Sequence, residues 1–345
     1  KNMAENKMTK QAFGLQWHIT ETCDQRCKHC YIFNGREHDF CELSIEELKR
    51  IVDDFVETTS KMDKTPVLTI TGGDPLLYCN IWEFLELLYN KKIKFAILGN
   101  PFHLTKEVAI RLKELGCYNY QMSIDGLKET HDYMRKKGSF DETLDKVELL
   151  NNVGLHTSIM TTVSKLNVNE IPLLVPIIVK AGVKNYGFAR YCPNPGDNDV
   201  MLTPEEYKKF LEKMWNVYLE YKETGTRFAL KDHLWKLFLY EKGLYDINFL
   251  GDDILDGCHC GISHMTILSN GLVYACRRCE SPIGKVPEQS LYDIFFGKKI
   301  EEYRKFNQFQ KCKDCELLRF CRGCPSVAKC ATGDFYAPDP QCWKK

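Results

Sequence analysis

The chain has 345 residues, 44% of them hydrophobic, and its 47 basic residues balance its 47 acidic residues. This composition indicates an ordinary globular protein and gives no basic excess for binding nucleic acid. The longest apolar run, Ile171–Val179, is too short to span a membrane. Residues 1–10 are polar and lack the apolar core of a secretion signal. We therefore expect a cytoplasmic protein with neither a nucleic acid nor a membrane as partner.

Residues 14–190 alternate between short apolar segments and longer amphipathic ones, which predicts repeated βα units on a parallel sheet. The predicted strands are 15–19, 67–71, 94–98, 118–123, 156–163 and 185–190. The predicted helices between them are 44–58, 81–90, 105–115, 140–153 and 171–181. The first helix begins at a capping box, Ser44-Ile-Glu-Glu47. Six units are too few for a closed eight-stranded barrel, so we predict an α/β fold with a partial (β/α)6 TIM-like barrel, open on one side.

The cysteines are distributed unevenly along the chain. Seven of the 17 lie in residues 1–257 and ten in residues 258–345. In a cytosolic chain of this size, such cysteines are better explained as metal ligands than as disulfides. The predicted organisation is an N-terminal extension over 1–13, the barrel over 14–200, a helical bridge over 201–257 and a cysteine-rich C-terminal domain over 258–345.

Three cysteines, Cys23, Cys27 and Cys30, follow the first predicted strand with the spacing C-x3-C-x2-C. Three thiolates can hold three corners of a [4Fe–4S] cluster and leave one iron without a protein ligand, whereas four cysteines would close the site. A partial zinc knuckle or a redox thiol cluster would use the same residue type. The spacing and position resemble the signature of the radical S-adenosylmethionine (SAM) enzymes. In that family SAM chelates the open iron and is cleaved reductively to a 5′-deoxyadenosyl radical, which abstracts hydrogen from a substrate.

This resemblance also implies residues that bind SAM, each close to the end of a predicted strand or to the cysteine loop. Gly72-Gly73-Asp74-Pro75 lies where the family usually has Gly-Gly-Glu-Pro, so the acid is one methylene shorter here. Ser123 and Arg135 would bind the SAM carboxylate, for which the planar guanidinium of an arginine is well suited. A solvated helix end is the alternative interpretation of Arg135. The remaining implied contacts are Tyr31, Asn100 and Arg190. Because the C-terminal ends of parallel strands meet at one edge of a sheet, we expect one pocket to contain them.

The C-terminal cysteines resemble the SPASM domain, which carries two auxiliary [4Fe–4S] clusters. The segment from Cys260 through Gly271 to Cys276 predicts a hairpin with Asn270-Gly271 as its turn. The resemblance implies that the first auxiliary cluster is held by Cys258, Cys260, Cys276 and Cys324. It implies that the second is held by Cys312, Cys315, Cys321 and Cys342. Cys279 and Cys330 are nearby thiols that could replace a member of the first set, and a zinc ribbon is the alternative for the two C-x2-C pairs.

Tyr191 and Cys192 follow the last predicted strand of the barrel, at the mouth of the expected pocket, and we assign both to catalysis. A thiol at this position could donate a hydrogen atom to a substrate radical, as a cysteine does in radical SAM peptide epimerases. Simple packing is the alternative interpretation of Cys192.

Together these motifs resemble the radical SAM/SPASM enzymes that modify ribosomally made peptides. We expect hydrogen abstraction from a peptide that leads to a thioether or carbon–carbon cross-link, with epimerisation as an alternative that would use Cys192 as donor. The motifs leave three more functions open: action on a tetrapyrrole, which the Cys321–Cys324 spacing resembles, oxidation of a sulfatase cysteine or serine, and a non-enzymatic zinc module. The expected cofactors are SAM and three [4Fe–4S] clusters. The expected partners are a substrate peptide, with a separate leader-binding protein or without one, and a reductase such as flavodoxin or ferredoxin.

Overall fold

The computed structural model describes residues 11–33, 41–194 and 196–345. Its strands are β1 (Ala12–Thr20), β2 (Thr65–Gly72), β3 (Phe95–Leu98), β4 (Cys117–Ser123), β5 (Thr157–Val163), β6 (Asn185–Arg190), β7 (Arg227–Ala229), β8 (His264–Ile267), β9 (Leu272–Tyr274) and β10 (Pro282–Lys285). Its helices are α1 (Ile45–Lys61), α2 (Ile81–Asn90), α3 (Lys106–Glu114), α4 (Lys128–Met134), α5 (Ser139–Val153), α6 (Ile171–Lys180), α7 (Pro204–Tyr221), α8 (Leu234–Glu241), α9 (Leu291–Phe295), α10 (Lys298–Glu301) and α11 (Pro325–Thr332). Residues 1–10 of the predicted N-terminal extension lie outside the described residues. In the part of the chain that is described, no helix combines the length and the apolar character needed to cross a bilayer.

The barrel has the predicted architecture. Strands β1 to β6 lie side by side in chain order, every adjacent pair is parallel, and helices connect consecutive strands. The six predicted strands and the five predicted helices all form, with small differences at their ends. The predicted capping box is present at Ser44, whose side chain accepts a hydrogen bond from the backbone N–H of Glu47.

The sheet extends beyond these six strands on both sides. β7 pairs in parallel with β6, so the segment predicted as a helical bridge also supplies a strand. On the other side, β8 pairs in parallel with β1 and continues through antiparallel β9 and β10. The result is one ten-stranded sheet that begins in the cysteine-rich region and ends in the bridge. A strand of three residues such as β7 is too short to show an alternating pattern, which is why the sequence did not predict it.

β1 is an interior strand of this sheet, between β8 and β2, and is buried on both faces. Successive side chains of a strand point to opposite faces. On one face, Trp17 packs edge-on against Phe84 of α2 with ring centroids 5.2 Å apart. On the other face, the polar side chains of Gln16 and His18 are buried. Polar side chains buried inside a barrel are unusual, and they mark the interior below the cluster loop, residues 21–33, as a candidate binding region.

The predicted hairpin between Cys260 and Cys276 is present as β8 and β9. Its turn contains Gly271, which has φ of +85°. A Cβ atom built on Gly271 would lie 2.3 Å from the carbonyl oxygen of Val286, so a side chain there meets both backbone strain and a steric clash.

We expect Gly271→Ala to destabilise the protein by more than the roughly 1–2 kcal/mol associated with a left-handed alanine alone. Gly116→Ala is the matched control, because Gly116 has φ of +98° but nothing within 4 Å of an added Cβ. Urea unfolding of both variants under anaerobic conditions measures the difference. Equal losses of stability in the two variants would contradict the clash at Gly271.

Candidate functional site

A cavity of about 220 Å³ lies at the C-terminal ends of the parallel strands. All but one of the residues predicted to bind the SAM cluster, SAM or the substrate line it. They are Cys23, Cys27, Cys30, Tyr31, Gly72, Gly73, Asn100, Ser123, Arg135, Arg190, Tyr191 and Cys192. The exception is Asp74. The expectation of one shared pocket is therefore met for residues that come from five different strand ends.

The cysteines of the cluster loop have hydrogen-bond donors directed at their sulfur atoms. The side-chain amide of Asn100 lies 3.3 Å from Cys23 Sγ, and the backbone N–H of Gln25 lies 3.4 Å from the same atom. The guanidinium of Arg135 lies 3.8 Å from Cys27 Sγ. Hydrogen bonds to sulfur stabilise the thiolates that hold an iron–sulfur cluster, so this donor set fits a cluster here. Asn100 thus contacts a cysteine of the cluster loop rather than only facing the space expected for SAM.

Gly72 and Gly73 fix the end of β2 against the cluster loop. A Cβ atom on Gly72 would lie 2.1 Å from the carbonyl oxygen of Thr20, and one on Gly73 would lie 2.3 Å from that of Thr22. The backbone N–H of Gly73 donates to Thr20 O at 2.8 Å, and that of Asp74 donates to Thr22 O at 2.8 Å. No larger residue permits this approach, so both glycines are required by the contact with the loop, whatever else they bind.

Asp74 lies behind the cavity wall and does not line it. One carboxylate oxygen accepts a hydrogen bond from the backbone N–H of Leu76, and the other, Oδ2, is buried without a partner among the described residues. Burial raises the pKa of Asp74 to about 6, and the hydrogen bond from Leu76 opposes this rise. An unpartnered buried carboxylate oxygen is suited to accept a hydrogen bond from an amine such as that of SAM. The predicted contact with SAM stays a prediction.

Arg135 is part of a buried ionic network under the cluster loop. Its Nε donates to Asp125 Oδ2 at 2.5 Å, and His29 Nε2 lies 3.2 Å from the same oxygen. Burial alone would raise the pKa of Asp125, but the charge of Arg135 and the contact with His29 hold it well below its usual range. The interpretation of Arg135 as a solvated helix end is therefore wrong. The sequence alone gives no role to Asp125 or His29; their only signals are a position after β4 and a position between two cluster cysteines.

We expect Arg135→Gln to raise the Kd for SAM roughly tenfold or more, because hydrogen bonds to charged groups are worth about 1.5–3 kcal/mol. The iron content should stay close to that of the wild type. Lys136→Gln is the matched control, since Lys136 is the next residue and its ion pair with Asp24 is half exposed. Equilibrium binding of SAM to the reconstituted proteins measures the effect. An unchanged Kd in Arg135→Gln would remove Arg135 from the SAM site.

The structure gives Arg190 another role than the predicted contact with SAM or substrate. Its side chain is 1% exposed and forms ion pairs with Asp232 at 2.8 Å and with Asp339 at 2.7 Å. A further hydrogen bond joins it to Gln341 at 3.0 Å. With these partners, the guanidinium connects the end of β6 to the bridge and to the C-terminal segment. The two acidic partners are remote from Arg190 in sequence, so the sequence alone could not reveal these ion pairs.

Tyr191 and Cys192 line the cavity, but both have partners. The Tyr191 hydroxyl donates to Asp197 at 3.0 Å, and burial together with this carboxylate raises the pKa of Tyr191 to about 12. The Cys192 thiol is hydrogen-bonded to Cys330. This contact and burial raise the pKa of Cys192, whereas the charge of nearby Arg278 opposes the rise. Cys192 therefore sits beside the auxiliary cysteines rather than alone at the mouth of the pocket. Its assignment as a hydrogen-atom donor stays a prediction.

The cysteines assigned to the second auxiliary cluster surround one small cavity. They are Cys312, Cys315, Cys321 and Cys342. As in the cluster loop, donors face the sulfur atoms: the backbone N–H of Gly323 lies 3.4 Å from Cys321 Sγ, and Lys311 Nζ lies 3.8 Å from Cys342 Sγ. The four thiols and their donors fit a [4Fe–4S] cluster.

The four cysteines assigned to the first auxiliary cluster also lie together, and a fifth cysteine, Cys279, lies beside them. Cys258 contacts Cys260, and Cys276 contacts Cys279. The hydroxyl of Ser326 lies 3.0 Å from Cys276 Sγ. Of the two spare thiols, Cys279 is thus inside this group, whereas Cys330 contacts Cys192. The guanidinium of Arg278 lies 3.5 Å from the sulfur atom of Cys324, the fourth cysteine of this set.

Two further residues of the cavity wall, Arg277 and Arg278, have no counterpart among the sequence-based assignments. The only signal for them is their position directly after Cys276 in a segment otherwise interpreted through its cysteines. Arg278 also donates a hydrogen bond to the carbonyl oxygen of Arg190. The auxiliary-cluster region thus contributes charged side chains to the cavity of the barrel.

Comparison with known proteins agrees with this geometry. Residues 17–175 match the family model of the radical SAM superfamily, and residues 258–316 match the SPASM iron–sulfur cluster-binding domain. The structure superposes on that of Streptococcus suis SuiB bound to S-adenosylmethionine with a TM-score of 0.76 and 20% identity, over 97% of this chain and 78% of SuiB.

Three curated relatives match over most of their own length. The AdoMet-dependent heme synthase of Methanosarcina barkeri is 26% identical over 97% of this chain and 97% of its own. The Fe-coproporphyrin III synthase of the same organism is 24% identical over 95% of this chain and 86% of its own. The mycofactocin maturase MftC of Mycolicibacterium smegmatis is 26% identical over 95% of this chain and 82% of its own. With the cysteine sets and the barrel described above, these matches show that the chain is an enzyme of the radical SAM superfamily with a SPASM iron–sulfur domain.

Proposed function

We propose that this enzyme acts on a tetrapyrrole that carries carboxylate side chains, and that it converts a propionate of that substrate into a vinyl group. The observation that carries this proposal is the charge of the cavity. Four arginines line it, Arg135, Arg190, Arg277 and Arg278, and no aspartate or glutamate among the described residues does so. Buried aspartates outside the cavity neutralise Arg135 and Arg190, so the positive charge that a substrate would meet comes from Arg277 and Arg278. A cavity of this character favours an anionic substrate, because guanidinium groups bind carboxylates with paired hydrogen bonds.

The relatives support the same substrate class. The heme synthase resembles this chain over nearly the whole length of both proteins, and a second relative is named for an iron coproporphyrin. Chemically, a heme has vinyl groups at two positions where a coproporphyrin has propionates. The change from one to the other removes carbon dioxide and two hydrogens from each side chain. The C-x2-C spacing of Cys321 and Cys324 is a further point of agreement with members that act on tetrapyrroles.

The proposal assigns distinct tasks to the residues of the cavity. Cys23, Cys27 and Cys30 would hold the cluster that binds SAM, and the two C-terminal cysteine sets would hold two auxiliary clusters, three in all. When bound, these groups supply abstraction of a hydrogen atom from the side chain and acceptance of the remaining electron. The chain itself would hold the carboxylate with arginine side chains, and its cluster loop and Tyr31 would limit access of water to the reacting carbon. Reducing equivalents would come from a flavodoxin or a ferredoxin.

We expect simultaneous replacement of Cys23, Cys27 and Cys30 by alanine to abolish reductive cleavage of SAM while much of the auxiliary iron is retained. The physical reason is that the three sets of thiols are separate in the structure. Chromatography of 5′-deoxyadenosine and an iron assay measure the two quantities. Cys79→Ala is the matched control, since Cys79 is exposed and outside all three sets. Cleavage that survives the triple replacement would show that the N-terminal cluster is not the catalytic one.

Incubation of the reduced, reconstituted enzyme with SAM and Fe-coproporphyrin III should give a product lighter by carbon dioxide and two hydrogens for each converted side chain. Mass spectrometry of the tetrapyrrole measures this loss. 5′-Deoxyadenosine should accumulate in step with the product, because each side chain loses one abstracted hydrogen atom. Formation of 5′-deoxyadenosine without any change in the tetrapyrrole would overturn the proposed function.

Modification of a ribosomally made peptide is the second candidate, and the similarity to MftC favours it. A cross-link would again need hydrogen abstraction and an electron acceptor, so the clusters serve either reaction. An epimerase would instead need a free hydrogen-atom donor, and the contact of Cys192 with Cys330 makes that role less suited to this site. A peptide that is modified by the enzyme while the tetrapyrrole is left intact would favour this second candidate.

A further inference from the structure

The four arginines of the cavity differ in what neutralises them. Arg135 is paired with Asp125, and Arg190 is paired with Asp232 and Asp339. Arg278 lies 3.5 Å from the Cys324 sulfur and donates to a backbone carbonyl. Arg277 has neither a hydrogen bond nor an ion pair with any residue that the structure describes. It lies beside the ring of Tyr31, whose centroid is 6.0 Å from the guanidinium carbon.

The surroundings of Arg277 contain further nitrogen groups, and no carboxylate among the described residues is paired with it. Burial, the charge of Arg277 and the neighbouring His264 lower the pKa of His18 to about 3. Burial and Arg277 likewise lower the pKa of Lys231 below its usual range. The His18 imidazole is therefore neutral near pH 7. A cation among neutral and basic groups is an arrangement that a bound anion would stabilise.

His18 supplies a second unsatisfied group in the same region. Its Nε2 atom is buried and has no hydrogen-bond partner among the described residues. Its ring packs against Tyr31 with centroids 5.8 Å apart, so His18 and Arg277 border the same tyrosine. A buried polar atom without a hydrogen-bond partner destabilises the protein unless a ligand forms a hydrogen bond with it.

We propose that Arg277 and His18 form a subsite that binds a carboxylate of the substrate, with the guanidinium as the principal donor and the His18 imidazole as a second hydrogen-bonding group. The identification of that carboxylate as a tetrapyrrole propionate rests on the proposed function; recognition of a carboxylate does not. The subsite orients the substrate because the planar guanidinium donates paired hydrogen bonds to a carboxylate in the same plane.

The first test measures the binding of Fe-coproporphyrin III to the anaerobically reconstituted enzyme. Binding is monitored by absorbance in the absence of a reductant. We expect Arg277→Gln to raise the Kd roughly 10- to 100-fold. Arg277→Lys should recover part of this loss, because it keeps the charge but not the fork. Arg50→Gln, a replacement of an exposed arginine, is the matched control. Iron content should be the same in all variants, which separates a loss of binding from a loss of the adjacent cluster.

The second test uses the wild-type holoenzyme and does not depend on a variant that folds. Phenylglyoxal modifies accessible arginines, and peptide mapping by mass spectrometry distinguishes Arg277 from Arg278. We expect propionate to slow the modification of Arg277 several-fold and propionamide, its uncharged analogue, to have no effect. Equal rates with both compounds would mean that Arg277 neutralises the neighbouring cluster cysteines instead of binding a carboxylate.

The two tests separate the subsite from the proposed function. Protection by propionate without binding of the porphyrin by the wild type would overturn the tetrapyrrole substrate and keep the carboxylate subsite. Porphyrin binding that is equal in wild type and Arg277→Gln, with no protection by propionate, would overturn the subsite and keep the substrate. Failure of both measurements would overturn both proposals.

Discussion

The approach of two backbones at the end of β2 is the constraint on which the rest of the site depends. Gly72 and Gly73 lie so close to the carbonyl oxygens of Thr20 and Thr22 that no side chain fits between them. This contact fixes where the cluster loop leaves β1, and thereby where Cys23 faces the ends of β3 and β4. Asn100 and Arg135 then reach the sulfur atoms from beyond those strand ends. A hydrogen-bonded backbone contact of this kind is insensitive to side-chain motion, so it defines the geometry of the cavity more firmly than any of the polar contacts within it.

Much of the fold could be predicted because its signals are local. Each βα unit is visible as a change of hydrophobic period. The cysteine motifs have fixed spacings, which can be recognised in the sequence without the structure. The missing parts depend on contacts between remote residues. The pairing of β8 with β1 and the ion pair between Arg190 and Asp339 join segments that no periodicity connects. Arg190 consequently lies at the predicted pocket, but its partners are Asp232 and Asp339 instead of SAM or the substrate.

Charge compensation explains how the basic residues of this neutral chain are used. Iron–sulfur clusters ligated by thiolates are anionic, and a buried negative charge needs nearby positive charge. Each of the three cysteine sets has a cation close to one of its sulfur atoms: Arg135 at Cys27, Arg278 at Cys324 and Lys311 at Cys342. Positive charge near the sulfurs favours the reduced state, so these groups would raise the reduction potential of a cluster held by the cysteines. Arg277 stands apart from this pattern, because no hydrogen bond to a sulfur accounts for it among the described residues.

The pairing of β8 with β1 has a consequence for the independence of the two regions. One neighbour of β1 is β2, and the other comes from beyond residue 257. Removal of the C-terminal region would leave β1, with its apolar residues Leu15 and Trp17, as an open sheet edge, and open edges of this kind promote intermolecular strand pairing and aggregation. The catalytic barrel and the auxiliary-cluster region therefore share one sheet, and during biosynthesis β1 gains its second neighbour only after β8 has been translated.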